Sequence, residues 1–218
     1  MRKDPKVRLA EITQIDLPLW QAGRAFAGMD EAGRGPLAGP VVAACVVMPP
    51  SPLLEGVDDS KKLSEKKREA LYARVMETAL FVHVGVAAAE EIDEVNILQA
   101  TRRAMERAAE GAPCDLFLVD ALDRLNVPGE VRGIVHGDAL CYSIAAASIV
   151  AKVTRDRMLR ELDARYPQYG FMKHKGYGTK AHIEALRQFG PCPEHRRSFI
   201  GHFVDISRPE YARQGARQ

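Results

Sequence analysis

The chain has 218 residues, 46% of them hydrophobic and 28% charged, which suits one compact domain with its own core and excludes a disordered, collagenous or low-complexity chain. A formal net charge of +2 hides an uneven split: residues 1–149 carry 17 basic against 22 acidic side chains, and residues 150–218 carry 14 against 7. The basic C-terminal part points to a polyanionic partner, with acids clustered elsewhere, unless both are only solvated surface.

Residues 1–22 read as a short N-terminal extension in which Ile15, Leu17, Leu19 and Trp20 pack a turn or helix on the domain. The stretch FAGMDEAGRGPLAGPVVAACVVMPP predicts two strands joined by a long Gly/Pro turn, the second, Val41 to Met48, being buried on both faces. Ser64 to Leu80 has helical spacing with Ser64 as N-cap, Phe81 to Ala88 alternates as a third strand, and Asp93 caps a helix running through Ala109. Asp115 to Val119 is a short buried strand that delivers Asp120 to its C-terminal end; Val131 to Val135 is another, closed by His136 and Gly137. The longest helical signal runs from Asp138 to Tyr166, and its Ala/Ser-rich middle permits close approach of a sheet. A Gly, Tyr, Lys and His loop follows to Gly178, then a helix from Lys180 to Phe189. Strands interleaved with helices in this order predict an α/β domain with a mixed sheet.

The four cysteines, Cys45, Cys114, Cys141 and Cys192, are widely spaced and form no CxxC pair, so neither a zinc ribbon nor a disulfide framework is suggested and the thiols read as buried in a reducing compartment. No segment approaches the roughly 18 consecutive apolar residues that span a bilayer, and the N-terminus lacks an apolar signal core. A cytoplasmic protein without membrane association is expected.

Asp30 and Glu31 end an apolar strand immediately before Gly33-Arg34-Gly35-Pro36. Adjacent strand residues face opposite ways, so the pair converges on one ion only if the backbone turns there. Asp120 ends another strand and Asp138 opens a helix. Carboxylates at neighbouring strand ends point into one crevice, repel one another unless cations neutralise them, and suit hard Mg²⁺ or Mn²⁺, which in pairs favour in-line displacement at phosphorus. Each acid also has an ordinary alternative: Asp138 as an N-cap, Asp120 as a turn residue. The glycine segment misses the GxGxxG spacing, contains Pro and leads into a strand, so a dinucleotide fold or P-loop is not expected.

Six ordered blocks, DEAGRGPLAGPV (30–41), DDSKKLSEKKRE (58–69), LVD (118–120), GDALCYSIAAASIVAKVTRDR (137–157), HKGYGTKAH (174–182) and GPCPEHRRSF (190–199), resemble prokaryotic ribonuclease HII in content and order. The resemblance implies a ribonuclease H-like fold with a mixed five-stranded sheet flanked by helices. It implies a single catalytic domain over residues 23–218, whose helical region from about residue 160 helps bind substrate. The activity implied is endonucleolytic cleavage of the RNA strand of RNA·DNA hybrids, and incision 5′ of single ribonucleotides in duplex DNA, leaving 3′-hydroxyl and 5′-phosphate ends. By the same resemblance Asp30, Glu31, Asp120 and Asp138 hold two Mg²⁺ or Mn²⁺ ions, Gly33, Arg34 and Gly35 read the ribose 2′-hydroxyl, and Tyr177 stacks on the next sugar.

Among the basic residues, Lys61 and Lys62 are candidate phosphate contacts or solvated surface. Lys152, Arg155, Lys173, Lys175, Arg196 and Arg197 are candidates to line the duplex path. His174, His182 and His195 read as structural or phosphate-contacting residues, not metal ligands. A monomer is expected. A purely nucleic-acid-binding module leaves the acids unexplained, and the 22 residues before the catalytic block are too few for the extra N-terminal domain usual in the related HIII type. Gly201-His202-Phe203 departs from the Pro that often follows SFI in relatives.

Overall fold

The computed structural model describes residues 4–122, 124–208 and 211. Two helices, α1 (Pro5–Ile12) and α2 (Asp16–Gln21), lead into β1 (Phe26–Ala32) and β2 (Val41–Val47). A 3-10 turn at Ser60–Lys62 precedes α3 (Glu65–Thr78), β3 (Phe81–Ala87), α4 (Ala89–Ala109), β4 (Leu116–Asp120) and β5 (Glu130–Ile134). Then come α5 (Gly137–Leu140), α6 (Tyr142–Arg165), α7 (Phe171–His174), α8 (Lys180–Phe189) and α9 (Arg197–Ile200). The strands form one mixed sheet in the order β3-β2-β1-β4-β5, with β3, β2 and β1 antiparallel and β1, β4 and β5 parallel. This is the mixed five-stranded sheet flanked by helices that the resemblance implies.

Period-two alternation assigns the two faces. Ala27, Met29, Val41, Ala43 and Cys45 pack on Ala100, Ala104 and Ala108 of α4. Ala44 and Val46 meet Ala145, Ala146 and Ile149 of α6 on the other side, so β2 is buried throughout. The small residues of α6 allow the close approach they predict. A Cβ at Gly28 of β1 would overlap the backbone of Ser143.

The α6 N-terminus is capped from outside its own segment. The fully buried Asp16 carboxylate accepts from the amides of Tyr142 and Ser143, each at 3.0 Å, and from the Ser143 hydroxyl at 2.5 Å. Trp20 adds a tilted ring contact to Phe26 at 5.5 Å and an edge contact to Tyr142 at 6.2 Å. Residues 4–22 are therefore packed against the sheet and α6.

Three predicted elements differ in detail. The helix expected from Asp138 to Tyr166 is interrupted at Cys141, which is extended (φ −128°, ψ 125°), giving α5 and α6. The helix expected to start at Asp93 begins at Ala89 and kinks at Asn96 (φ 68°), whose side-chain oxygen accepts from the amides of Leu98 and Gln99. Asp93 serves another helix instead, accepting from the amides of Arg197 and Ser198 at the start of α9. The loop expected up to Gly178 contains α7.

Candidate active site

Asp30 and Asp120 lie at the C-terminal ends of β1 and β4, which run parallel with Met29 opposite Val119. Asp30 shares its strand face with Phe26 and Gly28, and Asp120 shares its face with Leu116 and Leu118, all toward α6. The alternation thus aims both carboxylates the same way. Asp138, in the first turn of α5, completes a group in which one oxygen from each of Asp30, Asp120 and Asp138 lies within 4.8 Å of the others.

Glu31 stands outside that trio. It is paired in β1 opposite Ala43, yet it lines the same cleft as Lys61 and Ser148, and its charge acts on Asp30. One of its oxygens meets the Arg34 guanidinium at 3.3 Å, while the other, Oε2, is buried without a hydrogen-bond partner.

The electrostatics show how crowded this corner is. Burial first, then the charges of Glu31 and Asp120, push the Asp30 carboxyl well above the usual range. Burial also raises Glu31 against the opposing pull of Arg34. Burial, reinforced by Asp138, raises Asp120 against the hydrogen bond it accepts from the Gly137 amide. Lys61 offers partial compensation, with Nζ 3.1 Å from Asp138. Burial would lower the Lys61 ammonium, but its hydrogen bond to Asp138 and that residue's charge outweigh it and hold it high.

An all-oxygen donor set, compressed and short of positive charge, with an unpartnered Glu31 oxygen at its edge, fits hard divalent cations. Asp30, Asp120 and Asp138 would hold an ion directly, and Glu31 would join through its free oxygen.

Beside the acids lies a cleft of about 250 Å³ lined by Glu31, Gly33, Arg34, Gly35, Lys61, Ser148, Lys152 and Tyr177, among others. The Tyr177 ring is 49% exposed, and its nearest carbon sits 3.6 Å from where a Cβ on Gly35 would stand. The sequence-predicted glycine turn, Tyr177 and Glu31 thus border one depression, and Lys61 and Ser148 of its wall reach Asp138 and Asp30. Lys62 is exposed, with Nζ 3.7 Å from Asp59. Lys152 is tied to Asp156 at 2.7 Å. Lys175 occupies the left-handed position after α7 (φ 53°) and gives its carbonyl to Arg155. Lys173 is exposed on α7.

Arg196 corrects an expectation. It is fully buried, with its guanidinium donating to the carbonyls of Gly33 (2.5 Å), Arg34 (2.8 Å) and Gly39 (3.0 Å from Nε), so no face of it is left for a phosphate. Arg155 is 1% exposed and bonds the carbonyls of Pro40, Ala38 and Lys175. Arg197 anchors its amide on Asp93.

The histidines form a buried relay. His182 Nδ1 lies 2.9 Å from the Tyr177 carbonyl, which makes that nitrogen the donor; its Nε2 therefore accepts from His195 Nε2 at 3.1 Å, and His195 Nδ1 accepts from the Cys192 amide at 3.0 Å. His174 stacks on His182 at 4.3 Å between ring centres. Burial pulls His182 down to about 4 and His195 down to about 3, so both are neutral at pH 7 and hold the Tyr177 loop to the 192–196 segment.

Sequence reasoning missed Asp16, Ser60 and Ser148 as supports. The Ser148 hydroxyl donates to Ser60 Oγ at 2.8 Å and also contacts Asp30. Arg68 donates to the carbonyls of Ser60 (3.0 Å) and Leu63 (2.5 Å), fixing the turn that carries Lys61. Ser60 and Arg68 fall inside the 58–69 block and Ser148 inside the 137–157 block, so the blocks marked them without giving their roles.

A family model for ribonuclease HII matches residues 27–202. The ribonuclease HII of Geobacillus kaustophilus (strain HTA426) is 53% identical over 195 residues, covering 88% of this chain and 75% of that protein. That of Ruminiclostridium cellulolyticum (strain H10) is 56% identical over 182 residues, covering 83% and 71%. The crystal structure of ribonuclease H2 from Pyrococcus horikoshii OT3 aligns with a TM-score of 0.66 at 30% identity, over 80% of this chain and 93% of that one. With the clustered carboxylates and the mixed sheet, these likenesses place the chain in the ribonuclease HII family, as a metal-dependent endoribonuclease that cleaves the RNA strand of RNA·DNA hybrids.

Proposed function

We propose that the enzyme also incises duplex DNA on the 5′ side of single embedded ribonucleotides, leaving 3′-hydroxyl and 5′-phosphate ends, and so serves ribonucleotide and RNA-primer removal in DNA repair and replication. The observation that carries this reading is the cleft shared by Glu31, the Gly33–Gly35 turn and Tyr177, in which Lys61 and Ser148 reach the carboxylate group at Asp138 and Asp30. A cutter that needs only one ribose requires its ribose sensor beside its reaction centre.

Asp30, Asp120, Asp138 and Glu31 would hold two Mg²⁺ or Mn²⁺ ions. Such ions supply a water nucleophile at neutral pH and stabilise charge on the attacking and departing oxygens. The residues of the chain do the rest. Lys61, freed from Asp138 once cations neutralise that carboxylate, is placed to meet a phosphate oxygen, with Lys62 as a further phosphate contact. Backbone groups of Gly33, Arg34 and Gly35 meet the 2′-hydroxyl, the group that separates RNA from DNA at one position. Tyr177 presents an exposed ring to the following sugar. Lys152 borders the same cleft, and it and Lys175 would steady the backbone of the cut strand.

Asp30→Asn tests the metal assignment. Cleavage of a duplex carrying one ribonucleotide is expected to fall by about a hundredfold to a thousandfold, the scale of losing a catalytic electrostatic group, while duplex binding persists. Cleavage at a wild-type rate would contradict the assignment.

A further inference from the structure

The glycine turn is held from beneath by a buried guanidinium. Arg196 donates to the carbonyls of Gly33, Arg34 and Gly39, and its own amide donates to the Leu37 carbonyl at 2.9 Å. Its neighbour His195 bridges Ala38. On the far side, Gly33 (φ +98°) leaves no room for a side chain, because a Cβ there would overlap the Arg155 guanidinium stem.

Peptide planarity turns this anchoring into a statement about the exposed face. In a trans peptide the C=O of one residue and the N–H of the next point in opposite directions. With the Gly33 and Arg34 carbonyls drawn down to Arg196, the amides of Arg34 and Gly35 face away from it. Both residues are exposed and line the cleft beside Tyr177. Among the described residues, neither amide donates to a backbone carbonyl.

We infer that Arg196 is the positioning residue for ribose selection: by pinning the Gly33 and Arg34 carbonyls inward it fixes the Arg34 and Gly35 amides as a donor pair aimed at the ribose 2′-oxygen. This rests on the reading of the turn as the ribose sensor. A ribose hydroxyl satisfies such a pair, whereas a deoxyribose leaves it unmatched, and selection follows from that mismatch. The role needs the planar, multi-donor fork of arginine, since the point charge of lysine cannot hold these carbonyls at fixed angles.

The test compares binding of two duplexes of one sequence, with and without a single ribonucleotide, to the full-length Asp30→Asn protein, which keeps the substrate intact. Adding Arg196→Lys is expected to shrink the ribonucleotide preference by about tenfold or more, the worth of one hydrogen bond to the hydroxyl, while affinity for the all-DNA duplex is unchanged. Arg196→Gln is expected to do the same; if it fails to fold, Arg196→Lys carries the test. Val75→Ala, a buried residue of α3 away from the cleft, is the control for general destabilisation and should lower Tm with the preference intact. A preserved preference in Arg196→Lys, a parallel loss of both affinities, or an equal loss of preference in Val75→Ala would overturn the inference. A parent protein with no preference would instead remove the underlying ribose-sensor reading, and the role of Arg196 with it.

Discussion

Asp30 is 3% exposed, and its burial, Glu31 and Asp120 all oppose its ionisation. The folded carboxyl is therefore raised above its unfolded value. Such a group contributes stability while protonated at low pH, and that contribution is lost as pH rises through the folded pKa. At neutral pH without divalent ions the cluster is a source of strain, so Asp30→Asn is expected to raise the Tm of the metal-free protein even as it removes activity. Wild type should regain stability on adding Mg²⁺ or Mn²⁺, by about 2.7 kcal/mol at a hundredfold excess over Kd, and Asp30→Asn should regain much less. Thermal unfolding in EDTA and in Mn²⁺ measures both, and equal metal shifts in the two proteins would contradict the ligand role. Strand alternation made the common direction of Asp30 and Asp120 readable from the sequence. That Glu31, the next residue along the strand, also reaches the cleft could not be read from alternation, which would turn it away.

The elements around the cleft are fixed by long-range caps and by the relay. Asp16 caps α6, the helix that carries Ser148, Lys152 and Arg155, from a position 127 residues earlier than Ser143. Asp16→Ala should cost about 1–2 kcal/mol, the usual worth of an N-cap, measurable as a lowered urea midpoint; an unchanged midpoint would deny the cap. His182 and His195 have folded pKa values of about 4 and about 3, below the ordinary 6.5. Their neutral forms contribute stability that is fully present above pH 6.5 and is lost as pH falls toward the folded values, on the order of 2 kcal/mol per ring at pH 5. Urea unfolding at pH 7 and pH 5 should show a smaller acid loss in His195→Asn than in wild type, and an identical loss would contradict the neutral relay. Helices and strands were legible as apolar periodicity, but the kink at Asn96 and the break at Cys141 were not. Both follow from capping groups, one local side chain and one distant carboxylate, that compete with the continuous helix.

At the scale of the whole molecule, the charge asymmetry of the sequence is only partly a binding surface. Of the basic residues after 149, Arg155 and Arg196 are buried under the glycine turn, Lys152 is paired with Asp156, and Arg157 and Arg160 are paired with Glu69 and Glu65. Burial pulls Arg155 to about 10 and Arg196 to about 9, leaving both charged at neutral pH but turned inward. Sequence composition treats an arginine as surface by default, and only the convergence of carbonyls from residues 33–40 shows otherwise. With Lys61, Lys62, Lys152, Lys173 and Lys175 as the proposed phosphate contacts, the logarithm of duplex affinity should fall with the logarithm of salt with a slope of about −4.5, and Lys173→Gln should reduce that slope by about one. A slope near −8 would mean that the paired residues release their partners to bind phosphate.

If the proposed ribose sensor and the carboxylate group act together on one phosphodiester, the position and the ends of a single cut report it. The most direct measurement maps the products from an end-labelled DNA duplex containing one ribonucleotide, beside a long RNA·DNA hybrid, in Mg²⁺ and in Mn²⁺. One incision immediately 5′ of the ribonucleotide, with 3′-hydroxyl and 5′-phosphate ends, is the result expected; cleavage of the long hybrid with none at the single ribonucleotide would contradict the account.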